Sequence, residues 1–378
     1  MKGKKVTVIS ISAVILALAI IYLIFFSTLG LHIYNGKDEI ISAAQSFSRT
    51  AIVTKRGDVY INGSLDDAAG GSLGIAKPKR YRNLYNSGRE LKFVSLYSGH
   101  NAASVWLSRD GGAVITNGKE AYVFSSKSKS YSTPAKFADN ILCARPSGER
   151  VYLLTADGRF GFSSLDDSSA FTELMKSVKS FELAPEGDEI LIVATDGRLC
   201  VADSSGSVTE SAQNVAEVSI AQSSHDGMSE TVISIVRTDG VLLRYTAKNS
   251  FKTADVLSST PDELAHGIKS AVSYCSGTVA IDAQGNALAY GKDFGFGNSE
   301  LNGTVICADC KKLSSTDQSV IIIKADGSFA QYGYLLDSTH RTFAEQSTEQ
   351  KTARSRKSAP GFCLRFLWAK CLAVLDVK

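Results

Sequence analysis

Leu191-Ile192-Val193-Ala194-Thr195-Asp196-Gly197-Arg198-Leu199 compresses a β-rich run, an Asp-Gly step and the start of a second β-rich run into nine positions. Asp-Gly between two such runs is a preferred pair for a tight hairpin, in which both central residues reach positive φ. The unit recurs on either side. Upstream it reads Val151-Tyr152-Leu153-Leu154-Thr155-Ala156-Asp157-Gly158, Val105-Trp106-Leu107-Ser108-Arg109-Asp110-Gly111 and Ala51-Ile52-Val53-Thr54-Lys55-Arg56-Gly57-Asp58-Val59-Tyr60-Ile61. Downstream it centres on Asp239-Gly240, Gln284-Gly285 and Asp326-Gly327. The hairpin-turn markers Gly57, Gly111, Gly158, Gly197, Gly240, Gly285 and Gly327 are 54, 47, 39, 43, 45 and 42 residues apart. A period near 45 is that of a four-stranded propeller blade, and the 3.6-residue periodicity of a helical repeat is missing. The pattern predicts an all-β, seven-bladed β-propeller over residues 37–340.

A single blade cannot cover both faces of its sheet, so neighbouring blades must pack face to face in a ring. Strands covered on both sides then read as unbroken apolar runs, as Ser319-Val320-Ile321-Ile322-Ile323 does. Ring closure protects the sheet edges, and Asp38 to Ser48 is placed to complete the blade at the opposite end of the chain.

Segment 268–291, IKSAVSYCSGTVAIDAQGNALAYG, resembles one repeat of the regulator of chromosome condensation type. Leu91 to Gly118 does so as well, with Val94-Ser95, Ser98-Gly99-His100 and Asp110-Gly111 in order. The resemblance covers residues 38–335 and implies a seven-bladed propeller. The repeat's aromatic-Gly pair survives as Tyr290-Gly291 and Tyr332-Gly333 but becomes Asn62-Gly63 and Asn117-Gly118 in the first two blades. The nuclear nucleotide-exchange role of that family does not suit a chain expected outside a membrane, and propellers host many functions.

That expectation comes from the other end of the chain. After Lys2, Lys4 and Lys5, Val6 to Phe26 reads VTVISISAVILALAIIYLIFF, and the next charge is Lys37. Twenty-one uncharged residues span a bilayer core of about 30 Å as one helix. Lysines before the span and the bulk of the chain after it predict a single-pass anchor, with a cytoplasmic N-terminus and an extracytoplasmic propeller. A cleaved signal peptide is the alternative, but its apolar core is shorter, about 7–15 residues, and Ser27-Thr28-Leu29-Gly30 is a poor cleavage site. The expected organisation is therefore 1–36 cytoplasmic lysines and anchor, 37–340 propeller, and 341–378 a basic linker followed by a short apolar tail. The formal charge of +3 hides an uneven distribution. Eight basic and three acidic residues lie in 341–378, which leaves the body mildly acidic. Such a body is a poor nucleic-acid surface, since phosphate binding needs clustered Lys and Arg.

Catalytic signals are sparse. His32, His100, His225, His266 and His340 form no HxH or HxxxH pair for a metal. Leu65-Asp66-Asp67 and Leu165-Asp166-Asp167 follow the hairpins of their blades, where paired carboxylates serve calcium or acid–base chemistry but more commonly form solvated loops. Cys307-Ala308-Asp309-Cys310 is a single CxxC with no second pair for zinc, and a redox site would want a helix N-terminus to lower the thiol pKa. The remaining cysteines, Cys143, Cys200, Cys275, Cys363 and Cys371, read as buried small hydrophobes or as thiols open to pairing after export. Gly291 to Gly297 falls where a blade-to-blade loop belongs, not a phosphate cradle. Asn62-Gly63-Ser64 and Asn302-Gly303-Thr304 fit the glycosylation pattern. No catalytic residue, metal or cofactor is assigned. The chain reads first as a binding scaffold for a protein or glycan partner, with no enzymatic activity, held to the membrane through Val6 to Phe26. Second comes an accessory or sensor subunit of an envelope assembly. A propeller lyase or hydrolase, working from the central channel on a surface polymer, comes third.

Overall fold

The computed structural model describes residues 34–46, 49–63, 66–67, 71–72, 94–97, 99–108, 110–128, 134–185, 189–225, 228–292, 300–316, 319–334 and 340–341. Val6 to Phe26 lies outside them. Among the described residues no helix is long and apolar enough to cross a membrane. The chain separates into two units, residues 1–341 and 342–378, and the second is wholly outside the described set.

Within the first unit, seven four-stranded antiparallel sheets succeed one another along the chain. They occupy residues 40–97, 102–138, 141–175, 178–212, 215–265, 268–307 and 310–341, and are numbered as blades 1 to 7. This is the seven-bladed all-β propeller that the repeat predicts. Sequence order is spatial order within each blade, and the first strand is innermost. A separate two-stranded ribbon pairs Asp66–Asp67 with Gly71–Ser72.

Apolar clusters fill the spaces between blades. Ala44, Val53 and Ile61 of blade 1 meet Val105, Leu107 and Phe124 of blade 2. Leu191, Val193 and Leu199 of blade 4 meet Val218, Ile233 and Ile235 of blade 5. Second strands are sandwiched on both faces, and Val320, Ile321, Ile322 and Ile323 are at most 1% exposed. Burial of each such side chain contributes roughly 1.5–3 kcal/mol, so the seams hold the ring together.

The Asp-Gly turn differs in detail from the expected two-residue form. In blade 3, Gly158 N–H donates to Thr155 O (3.0 Å) and Thr155 N–H to Arg159 O (2.9 Å). This is a type I turn followed by one left-handed residue, and only Gly158 (φ +82°) has positive φ. The Asp carboxylate keeps an ordinary backbone and braces the turn from the side, as Asp326 does by accepting from Ser328 N–H at 2.9 Å.

Six marker glycines, Gly57, Gly158, Gly197, Gly240, Gly285 and Gly327, occupy this left-handed position between second and third strands. Gly111 does not, because Asp110-Gly111 joins the first and second strands of blade 2. The equivalent residue there is Lys119, at φ +62°, which donates to Thr116 O (2.9 Å).

These seven positions carry the seams. Each turn carbonyl accepts from the first inner-strand amide of the next blade: Ala102 to Gly57 (3.0 Å), Ile141 to Lys119 (2.7 Å), Val178 to Gly158 (2.9 Å) and Val215 to Gly197 (2.8 Å). Ile268 to Gly240 (2.9 Å), Cys310 to Gly285 (2.7 Å) and Ile40 to Gly327 (3.0 Å) complete the circuit. The last bond closes the ring. It corrects the expected role of Asp38 to Ser48, because Ile40–Ser46 is the inner strand of blade 1 itself. Blade 7 takes its fourth strand from its own His340–Arg341. Packing of Ile40, Ala43 and Ile52 against Ile321 and Ile323 seals the 7–1 seam without strand exchange.

Blade 5 departs from the common pattern. Its first two strands, Val215–His225 and Met228–Arg237, run 11 and 10 residues where the other inner strands have six or seven. Gln222 donates to Phe251 O (2.8 Å) and Thr231 to Ser250 O (2.7 Å), so the segment before the short helix Thr253–Leu257 braces this hairpin. The hairpin extends from the face opposite the Asp-Gly turns.

Candidate functional site: the central channel

Every inner strand has a β-bulge at the same place. Register jumps between Ile40 and Ser42, Ala102 and Ser104, Ile141 and Cys143, and Val178 and Ser180. It jumps again between Val215 and Glu217, Ile268 and Ser270, and Cys310 and Lys312. An extra residue at one point of a strand bends it and re-aims the side chains beyond it. The residues just past the bulges form an equivalent set: Ser42, Ser104, Cys143, Ser180, Glu217, Ser270 and Lys312. Two positions further on stand Ala44, Trp106, Arg145, Glu182, Ser219, Val272 and Ser314. Five of the first set and all of the second line one cavity of about 290 Å³ on the axis of the ring.

Small residues dominate the wall, and four charged side chains stand out against them. Arg145 donates through Nη1 and Nη2 to both carboxylate oxygens of Glu182, the Nη2–Oε1 distance being 2.6 Å. Its guanidinium also lies 5.6 Å from the ring centre of Trp106 and 5.0 Å from that of Phe181, within cation–π range. Burial disfavours the charge, but Glu182 outweighs it and the guanidinium pKa is raised. One pair thus ties blade 3 to blade 4.

Glu217 is held differently. Its Oε2 accepts from Ala271 N–H at 3.2 Å. Burial pushes its carboxyl up to about 7, with the Ala271 bond and Lys179 acting against the rise and Glu182 adding to it. Beside it a hydroxyl chain joins blades 5 and 6: Ser273 Oγ to Ser219 O (3.0 Å), Ser273 Oγ to Ser234 Oγ (2.8 Å) and Ser234 Oγ to Thr278 Oγ1 (2.7 Å).

Lys312 is reached by water along the channel yet surrounded by protein. Burial pulls its ammonium pKa down, and Cys143 acts the other way. Its sole hydrogen-bond contact among the described residues is a long one, 3.5 Å, to Ser42 Oγ. No carboxylate lies within ion-pair distance of it there. Burial likewise raises the Cys143 thiol pKa, with Arg145 and Lys312 opposing. No histidine or tyrosine lines the cavity among the described residues. Chemically the arrangement offers one unpaired cation, a carboxyl that exchanges its proton near neutrality, and several hydroxyl donors. Such a set is chemically able to pair with an anionic group.

Residues singled out in the sequence fall elsewhere. His100 pairs with Asp58 (Nδ1–Oδ1 2.6 Å) at the 1–2 seam, and His266 pairs with Glu263 (3.1 Å) within one turn. The side chains of His225 and His340, and all of His32, are outside the described residues. Asp167 accepts from Ser169 N–H and Oγ at 3.0 and 2.6 Å, which braces a loop, and burial and partners of Asp66 and Asp67 side chains are not described. No group of three or more His, Cys, Asp or Glu among the described residues could hold a metal. Asn62 is 7% exposed and so is poorly placed to carry a glycan, whereas Asn302 is exposed. Cys143, Cys200, Cys307 and Cys310 are free thiols and Cys275 is half-buried; Cys363 and Cys371 lie outside the described residues.

The sequence reading missed Arg145, Glu182, Glu217 and Lys312. A signal for two of them was present. Once the repeats are aligned on the seam amide, the residue two positions later reads Ser, Ser, Cys, Ser, Glu, Ser, Lys around the ring, and the two charges are the exceptions.

No protein-family model matches the chain, and no curated protein does. Solved structures do. Prp20p from Saccharomyces cerevisiae, described with its binding to Gsp1p and histones, is 14% identical over 83% of this chain and 85% of its own, with a TM-score of 0.52. A structure of Kap60 bound to yeast RCC1 (Prp20) gives 14% identity, 84% and 83% coverage, and the same 0.52. PorZ, a surface component of the type-IX secretion system of Porphyromonas gingivalis, is 13% identical with a TM-score of 0.47. The match covers 82% of this chain but only 39% of that protein's length. At these identities the likeness establishes the fold, which is the seven-bladed propeller seen in regulator of chromosome condensation proteins.

Proposed function

We propose that this chain is a binding scaffold, anchored in a membrane by Val6 to Phe26 with its propeller on the extracytoplasmic side, that grips a protein or glycan partner. The observation that carries the reading is the channel wall. A rigid ring presents Lys312 with no carboxylate in ion-pair distance among the described residues, in one cavity with hydroxyls and with Glu217. An acidic group on the partner, either a carboxylate side chain or an acidic sugar, supplies the missing charge. Binding proteins among the solved structures of this fold are compatible with this role. The uninterrupted apolar run behind three lysines supports the anchor.

The test is affinity capture from detergent-solubilised membranes, using full-length protein with an internal tag and its Lys312→Gln variant in parallel. One recurrent envelope component, retained by the native chain and lost by the variant, supports the channel as the binding site. A component held equally by both overturns the channel reading. A reporter enzyme fused after Arg341 tests the topology, because it is active outside the membrane and silent inside if the orientation is as proposed.

A further inference from the structure

Where one blade hands over to the next, the last residue of the fourth strand and the first of the following inner strand stand either side of a two-residue link. At most seams these are plain apolar residues: Ala138 and Ile141, Met175 and Val178, Ala212 and Val215, Ala265 and Ile268. Between blades 6 and 7 they are Cys307 and Cys310. The link places Asp309 at φ +58°, and the backbone around it is fixed on both sides. Cys310 N–H donates to Gly285 O (2.7 Å) and Ala325 N–H to Asp309 O (2.7 Å). The thiols lie just below the surface, 7% and 8% exposed, and the Cys307 thiol donates to Ala308 O at 3.5 Å. Lys324 pairs directly across from Cys310 in the sheet.

We propose that Cys307 and Cys310 form a reversible redox couple, a dithiol that closes to a disulfide across the seam between blades 6 and 7 on meeting a disulfide oxidant. The expected helix N-terminus is not what activates the pair. Here the neighbouring Cys310 and the Lys324 ammonium do so, together bringing the Cys307 thiol down to about 7. Cys307, having lost its proton to solvent, attacks one sulfur of the oxidant and expels its other half as a thiolate. Cys310 passes its proton to that thiolate, and its sulfur attacks Cys307 to release the second half, which takes a proton from solvent. Two protein thiols are oxidised by two electrons, and one disulfide is reduced to two thiols.

The experiment uses purified full-length protein and glutathione disulfide as the oxidant, with alkylation of residual thiols and mass spectrometry of the peptide that holds both cysteines. The expected product is a peptide about 2 Da lighter than the dithiol, the mass of two lost hydrogens, with neither cysteine alkylated. In Cys310→Ser, Cys307 accumulates as the glutathione adduct. In Cys307→Ser, Cys310 accumulates as the glutathione adduct in its place. Both cysteines remaining alkylatable at an oxidant excess that oxidises a control dithiol overturns the proposal. So does a stable glutathione adduct on the native protein without closure.

Discussion

Glu217 and Glu182 illustrate two ways of keeping a carboxylate inside a ring of small residues. The folded value for Glu217, about 7, lies above its ordinary 4.5, so the native state holds that proton more tightly than the unfolded chain does. Its contribution is therefore complete below pH 4.5 and is lost as pH rises through about 7. Glu217→Gln mimics the protonated form. It is expected to gain about 2 kcal/mol at pH 8 and to flatten the fall in stability between pH 5 and 7, as read by urea denaturation across that range. Glu182 is committed to Arg145, whose side chain is 13% exposed. Glu182→Gln leaves that guanidinium without its counter-charge and is expected to cost about 2–3 kcal/mol, measured the same way at pH 7. Equal stability of variant and parent would show that water in the channel solvates Arg145 as well as the carboxylate does.

Turns and strands account for what the sequence does and does not reveal. Glycine marks six of the seven seams, four of them as Asp-Gly, because one left-handed residue is required there and glycine meets that need at least steric cost. Where lysine takes the position the signal disappears, and Gly111 attracts attention only because a different turn of blade 2 also contains Asp-Gly. At Gly57 the geometry is unforgiving, since an added Cβ would lie 2.5 Å from Asn101 N and 2.6 Å from the His100 carbonyl carbon. Gly57→Ala is expected to cost about 2–3 kcal/mol, from strained φ plus overpacking. Lys119→Gly is expected to gain about 0.5 kcal/mol, the relief of φ slightly exceeding the unfolded chain's added freedom. Thermal or urea denaturation of the two variants separates these signs. The channel was less legible for a physical reason. Its residues are set by a bulge that leaves no compositional mark, and the partners Arg145 and Glu182 stand 37 positions apart.

At the scale of the whole molecule, six seams join blades that are also consecutive in the chain, whereas the seam between Ile40 and Gly327 joins its two ends by contact alone. Opening there drags no covalent link along. Hydrogen exchange should therefore be fastest, among the seven seam amides, at Ile40 and slow at Val215; equal rates would mean that the ring opens only by global unfolding. The repeat period made the number of blades readable, while closure without strand exchange could not be read, because both arrangements use the same residues in the same order. One departure from repetition gives the ring a property its blades lack. A sevenfold wheel presents a partner with seven nearly interchangeable angular settings, but the blade 5 inner strand is four residues longer than that of blade 6 and five longer than that of blade 4, about 13–17 Å at the rise of a strand. Like the keyway of a shaft, it converts a rotor into a part with a single clock position, so that a partner seated on that face has only one orientation in which to arrive.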